Sequence, residues 1–129
     1  MRALAIAVLL AACGGKPDPQ PPKRPNNELI VGEFERRHQE AHTAARFKAD
    51  GSITIASKAD ELDSKAIATG TYKLDGEKLT LVYTKGDLCE AGVEGTYNVV
   101  ISKVGIRFTK LDDACERRAK IDGETWYRR

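Results

Sequence analysis

Proline does not occur after Pro25, and long apolar runs are missing as well. Without proline, the rest of the chain can form uninterrupted β-ladders, because every backbone amide keeps its hydrogen-bond donor. The longest apolar run, Ala3 to Ala12, has ten residues. A membrane-spanning helix needs about 20, so this run is too short to cross a bilayer as a helix.

An excess of charge of one sign is also absent. The sequence has 21 basic and 19 acidic residues, and the part from Glu28 onward carries 17 basic against 18 acidic side chains. The mild positive charge of the whole chain therefore belongs to its first 27 residues. Proteins that bind nucleic acid have a clustered basic surface, so we do not expect a nucleic-acid partner.

Motifs that mark enzymes are missing too. The sequence contains no Gly-x-Ser-x-Gly nucleophile motif, no phosphate-binding loop and no dinucleotide fingerprint. Serine–histidine and cysteine–histidine pairs do not stand out either. We therefore predict no enzyme, no catalytic residue and no cofactor.

Histidine is scarce, and both copies lie in the segment His38-Gln39-Glu40-Ala41-His42. On a strand, His38, Glu40 and His42 would point to one side, as a site of two histidines and one carboxylate requires. The alternative is a polar loop with two solvated histidines, which we favour, and no metal is predicted. The acidic clusters 60–63 and 112–113 lack the ligand spacing of a calcium loop.

The N-terminus carries the pattern of an export signal. Residues 1–12 combine Arg2 with the short apolar run, and Leu10-Ala11-Ala12-Cys13 resembles the bacterial lipobox. This resemblance implies cleavage before Cys13, lipid on that cysteine and a membrane anchor of several acyl chains. Gly14 follows where aspartate would signal inner-membrane retention, so a host with two membranes would place the protein in the outer one, on its periplasmic or surface face. The alternative is an ordinary secretory signal with an unrelated cysteine.

Residues 13–27 are predicted to form a tether. All five prolines of the chain lie between Pro17 and Pro25, and proline at this density favours an extended, semi-rigid polyproline II segment. A segment of this kind would hold the following domain away from the membrane. The alternative is a ligand for a proline-binding groove.

Residues 28–129 are predicted to form one all-β domain. Asp50-Gly51 and Asp75-Gly76 are two-residue turn signals, and apolar residues alternate on both sides of them. The pattern predicts about eight short strands in an antiparallel, up-and-down barrel or sandwich. The strands are expected at 29–37, 43–49, 52–56, 66–74, 77–84, 95–102, 104–111 and 124–128. The helix-friendly composition of 33–46 leaves a helical alternative open there.

Two of the three cysteines remain if Cys13 carries lipid. Cys89 and Cys115 then have one possible pairing, and an exported compartment favours a disulfide. The bridge would be worth roughly 3 kcal/mol in the chain-entropy model. A redox pair or a thiolate metal site is the alternative.

Several short motifs together resemble small exported lipocalin-like domains of bacterial lipoproteins, most of which have no known function. The resemblance covers roughly 29–129, and its most specific part is Asp113-x-Cys115-x-x-Arg118 followed by the last strand with Trp126. It implies a calycin-type barrel. Lipocalins usually open with Gly-x-Trp, and Gly32-Glu33-Phe34 stands in that place. The resemblance further implies an arginine, Arg118 or Arg128, packed over this aromatic ring.

The large apolar side chains of the predicted strands form the candidate barrel lining. In a domain of this size they either surround a ligand cavity or fill the core completely. The candidates are Phe34, Phe47, Tyr72, Leu81, Tyr83, Tyr97, Phe108 and Trp126.

For function, we expect a lipid-anchored protein that binds a small hydrophobic ligand or has a role in the envelope. The alternative is a protein-binding module, for example an inhibitor of a secreted hydrolase, that acts through loop 58–65 or loop 85–94. The sequence does not identify a protein partner.

Overall fold

The computed structural model describes residues 24–38 and 41–129, without the side chains of His38, Ala41 and His42. The predicted signal peptide, the predicted lipidation site Cys13 and most of the predicted tether lie outside these residues. Within the described part, no helix has the length and apolar character needed to cross a membrane.

The described residues form eight antiparallel strands that close into one barrel in the order of the sequence. The closing contact joins the first and last strands, where Arg36 lies opposite Trp126. This confirms the predicted all-β, up-and-down barrel. The strands are β1 Gly32–His38, β2 Ala41–Phe47, β3 Ser52–Ala56, β4 Ala66–Asp75, β5 Lys78–Gly86, β6 Glu94–Ile101, β7 Gly105–Asp113 and β8 Thr125–Arg128.

The helical alternative for 33–46 is wrong. β1 and β2 pair along their whole length, from Gly32 opposite Phe47 to His38 opposite Ala41. Within these strands, the buried residues Phe34 and Ala45 face each other across the ladder. Burial of this apolar pair within the sheet outweighs the helix-friendly composition, since intrinsic helix propensity is a weak preference that tertiary contacts override.

The barrel core follows the alternation of the strands. On β5, Leu79, Leu81 and Tyr83 are buried while their neighbours are more exposed, and on β6 Tyr97 and Val99 repeat this pattern. A period of two places such residues on one face of a strand. The alternation predicted for these strands is therefore confirmed.

The two ends of the barrel differ. At one end, the tight turns after β2, β4 and β6 meet the short helix α1 (Asn26–Leu29), which precedes β1. The Asn26 side-chain amide donates to the Gly76 carbonyl at 2.8 Å, and Ile30 is fully buried. Gly76 has φ +62°, a conformation that glycine adopts without steric cost. We call this the closed end.

The opposite end carries the longer connections, and we call it the open end. It contains the segment 57–65 with a 3₁₀ turn at Ala59–Glu61, the loop 87–93 and the segment 114–124 with the short helix α2 (Glu116–Ala119). Because each strand has a neighbour on both sides, residues 24–129 hold the complete ladder and core of a self-contained domain.

Candidate functional site

A cavity of about 220 Å³ lies inside the barrel towards the open end. Its walls come from most of the strands, the loop 87–93 and α2 with the residues that follow it. Most of the lining is aliphatic or aromatic and includes Phe47, Ile53, Ile55, Leu81, Phe108 and Trp126. The arrangement is that of a small apolar pocket with polar groups near its mouth.

Five of the eight candidate lining residues border this cavity, namely Phe47, Leu81, Tyr83, Phe108 and Trp126. The other three do not. Phe34 lies at the closed end, Tyr97 is buried beside Asp113, and the half-buried Tyr72 packs edge-on against Phe47 and donates to the Lys48 carbonyl at 2.6 Å. The large side chains thus fill the barrel towards the closed end and surround an empty space towards the open end.

The mouth of the cavity is basic. Arg36, Arg117, Arg118 and Lys120 line it, and none of the acidic residues that the structure describes does. Arg36 Nε lies 2.7 Å from Oε2 of Glu124, and Arg117 Nη1 donates to the Asp87 carbonyl at 2.8 Å. Arg117 and Lys120 form no ion pair among the described residues, so they leave uncompensated positive charge at the mouth.

Arg118 is the one buried charged residue of the described part that faces the cavity. It is 1% exposed, and its guanidinium donates to both carboxylate oxygens of Asp113, from Nε at 2.7 Å and from Nη2 at 2.8 Å. A second Nη2 bond reaches the Val93 carbonyl at 2.9 Å, and the guanidinium carbon lies 4.9 Å from the centre of the Tyr83 ring. A bidentate pair of this kind fixes the orientation of the guanidinium.

Asp113 remains ionised in this setting. Burial alone would raise its pKa, but hydrogen bonds from Arg118, from the Tyr97 hydroxyl and from the Cys115 amide outweigh burial and hold the pKa below its ordinary value. Burial raises the pKa of Tyr97, and its hydrogen bond to the Asp113 carboxylate raises that pKa further. Both tyrosine hydroxyls near the pair stay protonated, because burial also raises the pKa of Tyr83.

Three buried side-chain polar atoms have no hydrogen-bond partner among the described residues: Arg118 Nη1, Trp126 Nε1 and Glu124 Oε1. Arg118 and Trp126 both line the cavity. Most buried polar groups in proteins are satisfied, so two unused donors in one cavity wall are an unusual feature. Sequence reasoning did not identify this pair of donors as part of a site.

The predicted disulfide is present. Cys89 and Cys115 are bonded, with a Cα–Cα distance of 5.7 Å. The bridge joins the loop 87–93 to the start of α2, so it ties together two segments that border the mouth. The loops 58–65 and 85–94, predicted as protein-binding candidates, both lie at the open end, although 85–86 still belong to β5.

At the closed end, the arginine over Phe34 is Arg128. Its guanidinium carbon lies 4.7 Å from the ring centre, and Nη2 donates to the Leu29 carbonyl at 2.6 Å. Of the two arginines that the resemblance allowed, the structure therefore assigns this place to Arg128, whereas Arg118 packs over Tyr83. Arg128 connects β8 to the segment after α1.

The weak metal candidate cannot be assembled from the described residues. Glu40 lies outside them, and the side chains of His38 and His42 are not described. Among the residues that are described, no group of three or more His, Cys, Asp or Glu side chains is placed to hold a metal ion.

Comparison with known proteins gives no assignment: no family model, no curated protein and no solved structure matches this chain.

Proposed function

We propose that this chain is an exported, lipid-anchored binding protein whose lipocalin-like barrel takes up a small hydrophobic molecule. The observation that carries the proposal is the apolar cavity of about 220 Å³ inside the barrel. Pockets for drug-sized ligands measure about 300–1,000 Å³. The ligand is therefore smaller than most drug-sized molecules. A short acyl chain or a single ring system would have a suitable size.

The lipocalin-like assignment is supported by the closed end. Gly32-Glu33-Phe34 lies on the first strand, and Arg128 from the last strand covers the Phe34 ring. A barrel sealed at one end and lined by polar loops at the other admits a ligand from one direction only. The closed end thereby protects an apolar ligand from water.

Anchoring follows from the lipobox Leu10-Ala11-Ala12-Cys13 and the proline-rich segment after it. A binding protein held near a membrane meets hydrophobic molecules where their local concentration is high. The test is a Cys13→Ala variant grown with labelled palmitate. Wild type should take up label and fractionate with membranes, and the variant should do neither. Label in the variant would contradict the anchor.

Ligand uptake is tested by filling the cavity. Ala45 is 1% exposed and lines the cavity, so an Ala45→Leu substitution places three carbons in empty space and should not unfold the protein. The matched control is Ala66→Leu at the exposed start of β4. Both variants of residues 24–129 are titrated with 1-octanol, and the fluorescence of the single tryptophan, Trp126, reports binding.

Wild type and Ala66→Leu should give the same saturable fluorescence change, and Ala45→Leu should give none. An unchanged response in Ala45→Leu would place binding elsewhere and contradict the proposal. The protein-binding alternative stays a prediction, since the open-end loops carry no feature that identifies a protein partner.

A further inference from the structure

We propose that the cavity binds its ligand by a carboxylate group, which accepts hydrogen bonds from Nη1 of Arg118 and Nε1 of Trp126. This inference rests on the proposed function and specifies the class of ligand: a monocarboxylic acid with a short apolar chain.

Arg118 leaves two of its five N–H groups without a partner among the described residues. An arginine side chain has five such donors and no acceptor. The Nε–H and the two Nη2–H groups bind Asp113 and the Val93 carbonyl. Both Nη1–H groups have no partner, although Nη1 is buried. Because Asp113 fixes the guanidinium plane, the direction of these two donors is set before any ligand arrives.

Trp126 adds a further unpaired donor beside the cavity. An indole Nε1–H is a donor only, and a buried one usually has an acceptor. Trp126 is 4% exposed, its Nε1 has no partner among the described residues, and its side chain borders the same cavity as Arg118. Arg118 of α2 and Trp126 of β8 thus offer three N–H donors to one cavity. The complementary ligand group is an acceptor.

The charges around the cavity also favour an anionic ligand. Asp113 balances Arg118, and Glu124 balances Arg36, but Arg117 and Lys120 have no acidic partner in the described part of the chain. No acidic residue among those described borders the cavity. The third orphaned atom, Glu124 Oε1, belongs to a carboxylate that is already engaged with Arg36 and does not line the cavity. An anionic acceptor is therefore favoured over a neutral carbonyl.

Among anions, a carboxylate fits best. It has two oxygens with about four acceptor sites, which three N–H donors nearly satisfy. A phosphate monoester has three terminal oxygens and a charge near −2 at neutral pH, so it would lose more hydration than these donors replace. With the carboxylate at Arg118 and Trp126, the apolar chain would lie against side chains such as Ile53 and Leu81.

The experiment uses residues 24–129 labelled with ¹⁵N. The single tryptophan gives one indole N–H resonance, which is titrated with octanoate, 1-octanol and octyl phosphate. Octanoate should bind at least tenfold more tightly than 1-octanol and should move the indole proton downfield, as a new hydrogen bond to a charged acceptor requires.

Each other outcome is decisive. Equal affinity for octanoate and 1-octanol without a downfield shift would overturn the carboxylate inference and leave the cavity proposal intact. Tighter binding of octyl phosphate would assign the site to phosphate instead. If none of the three compounds binds, the proposed function fails together with the inference.

Variants provide a second readout by calorimetry. Trp126→Phe keeps an aromatic ring and removes the N–H, so octanoate affinity should fall about tenfold more than 1-octanol affinity. Lys120→Gln should weaken octanoate binding alone, and Lys103→Gln, an equal charge change at the closed end, should have no effect. Equal effects of Lys120→Gln and Lys103→Gln would reduce the role of the mouth to general charge attraction and contradict the inference that charges at the mouth favour an anion.

Discussion

Arg118 and Asp113 form an ion pair whose side chains are 1% and 0% exposed, with Nε 2.7 Å from Oδ2. The pair lies at the open end of the barrel, where Asp113 also accepts hydrogen bonds from Tyr97 and from the Cys115 amide. A buried pair of this kind fixes orientation more than it adds stability, but removing one partner leaves an uncompensated charge.

Loss of Arg118 should destabilise the domain strongly. In Arg118→Met the Asp113 carboxylate stays buried without its cation, and the free energy of unfolding should fall by about 3–5 kcal/mol, measured by urea denaturation. Adding Asp113→Asn should recover part of the loss, because the buried charge is then gone. The control is Lys65→Met, which removes an exposed pair at 3.9 Å and should cost less than about 1 kcal/mol. Equal losses in Arg118→Met and Lys65→Met would contradict the account.

Acid should weaken the domain through Asp113. Its pKa is lower in the folded protein than in the unfolded chain, where an aspartate titrates near about 3.9. The unfolded state therefore takes up the proton first, so this contribution is present above about pH 4 and is lost as the pH falls through the folded value. Denaturation at a series of pH values should show a steeper acid decline in wild type than in Asp113→Asn. Parallel curves would refute the assignment.

Removal of the disulfide should cost about 3–4 kcal/mol in the chain-entropy model, since the bridge spans 26 residues. The double variant Cys89→Ser/Cys115→Ser tests this by urea denaturation. A reducing agent should lower the stability of wild type towards that of the variant and leave the variant unchanged. Hydrogen exchange should increase mainly in the loop 87–93 and in α2. A uniform increase across the barrel would show that the bridge does more than fix the mouth.

Gly70 should not tolerate a side chain. It lies at a register shift between β4 and β5, and a Cβ there would meet the Val82 carbonyl and lie 2.7 Å from Tyr83 Cα. Because both obstacles are backbone atoms, Gly70→Ala should cost more than about 2 kcal/mol. Gly92→Ala is the control, since its Cβ would meet nothing within 4 Å, and only its positive φ should cost about 1 kcal/mol. The urea midpoints of both variants check the difference, and similar midpoints would argue against the close approach.

The barrel was predictable because its sequence signals are local. The alternation on β5 and β6 and the Asp-Gly turns each lie within one hairpin. The two remaining cysteines have only one possible pairing. The ladder between β1 and β8, with Arg36 opposite Trp126, joins the ends of the domain, and no local pattern specifies that register. A barrel requires that the first and last strands pair, but the sequence does not predict which residues lie opposite each other.

The candidate site was less predictable. Tyr72 and Tyr97 occupy alternating positions, as lining residues would. However, the Tyr72 hydroxyl donates to the Lys48 carbonyl in the turn after β2, and the Tyr97 hydroxyl donates to the Asp113 carboxylate. The resemblance allows either Arg118 or Arg128 over Phe34, because a sequence motif does not show which ring a guanidinium contacts. The burial of Arg118 depends on Asp113 and Val93, which are brought together only when β6 and β7 pair.

Native mass spectrometry of residues 24–129 shows directly whether the barrel cavity takes up a ligand. The protein is produced in an oxidising periplasm, purified without detergent and compared with Ala45→Leu. Wild type should carry or take up one small amphiphile that is lost on denaturation, while the cavity-filled variant should have its bare mass. A wild type that stays bare after exposure to both octanoate and 1-octanol would show that the cavity does not bind such a ligand.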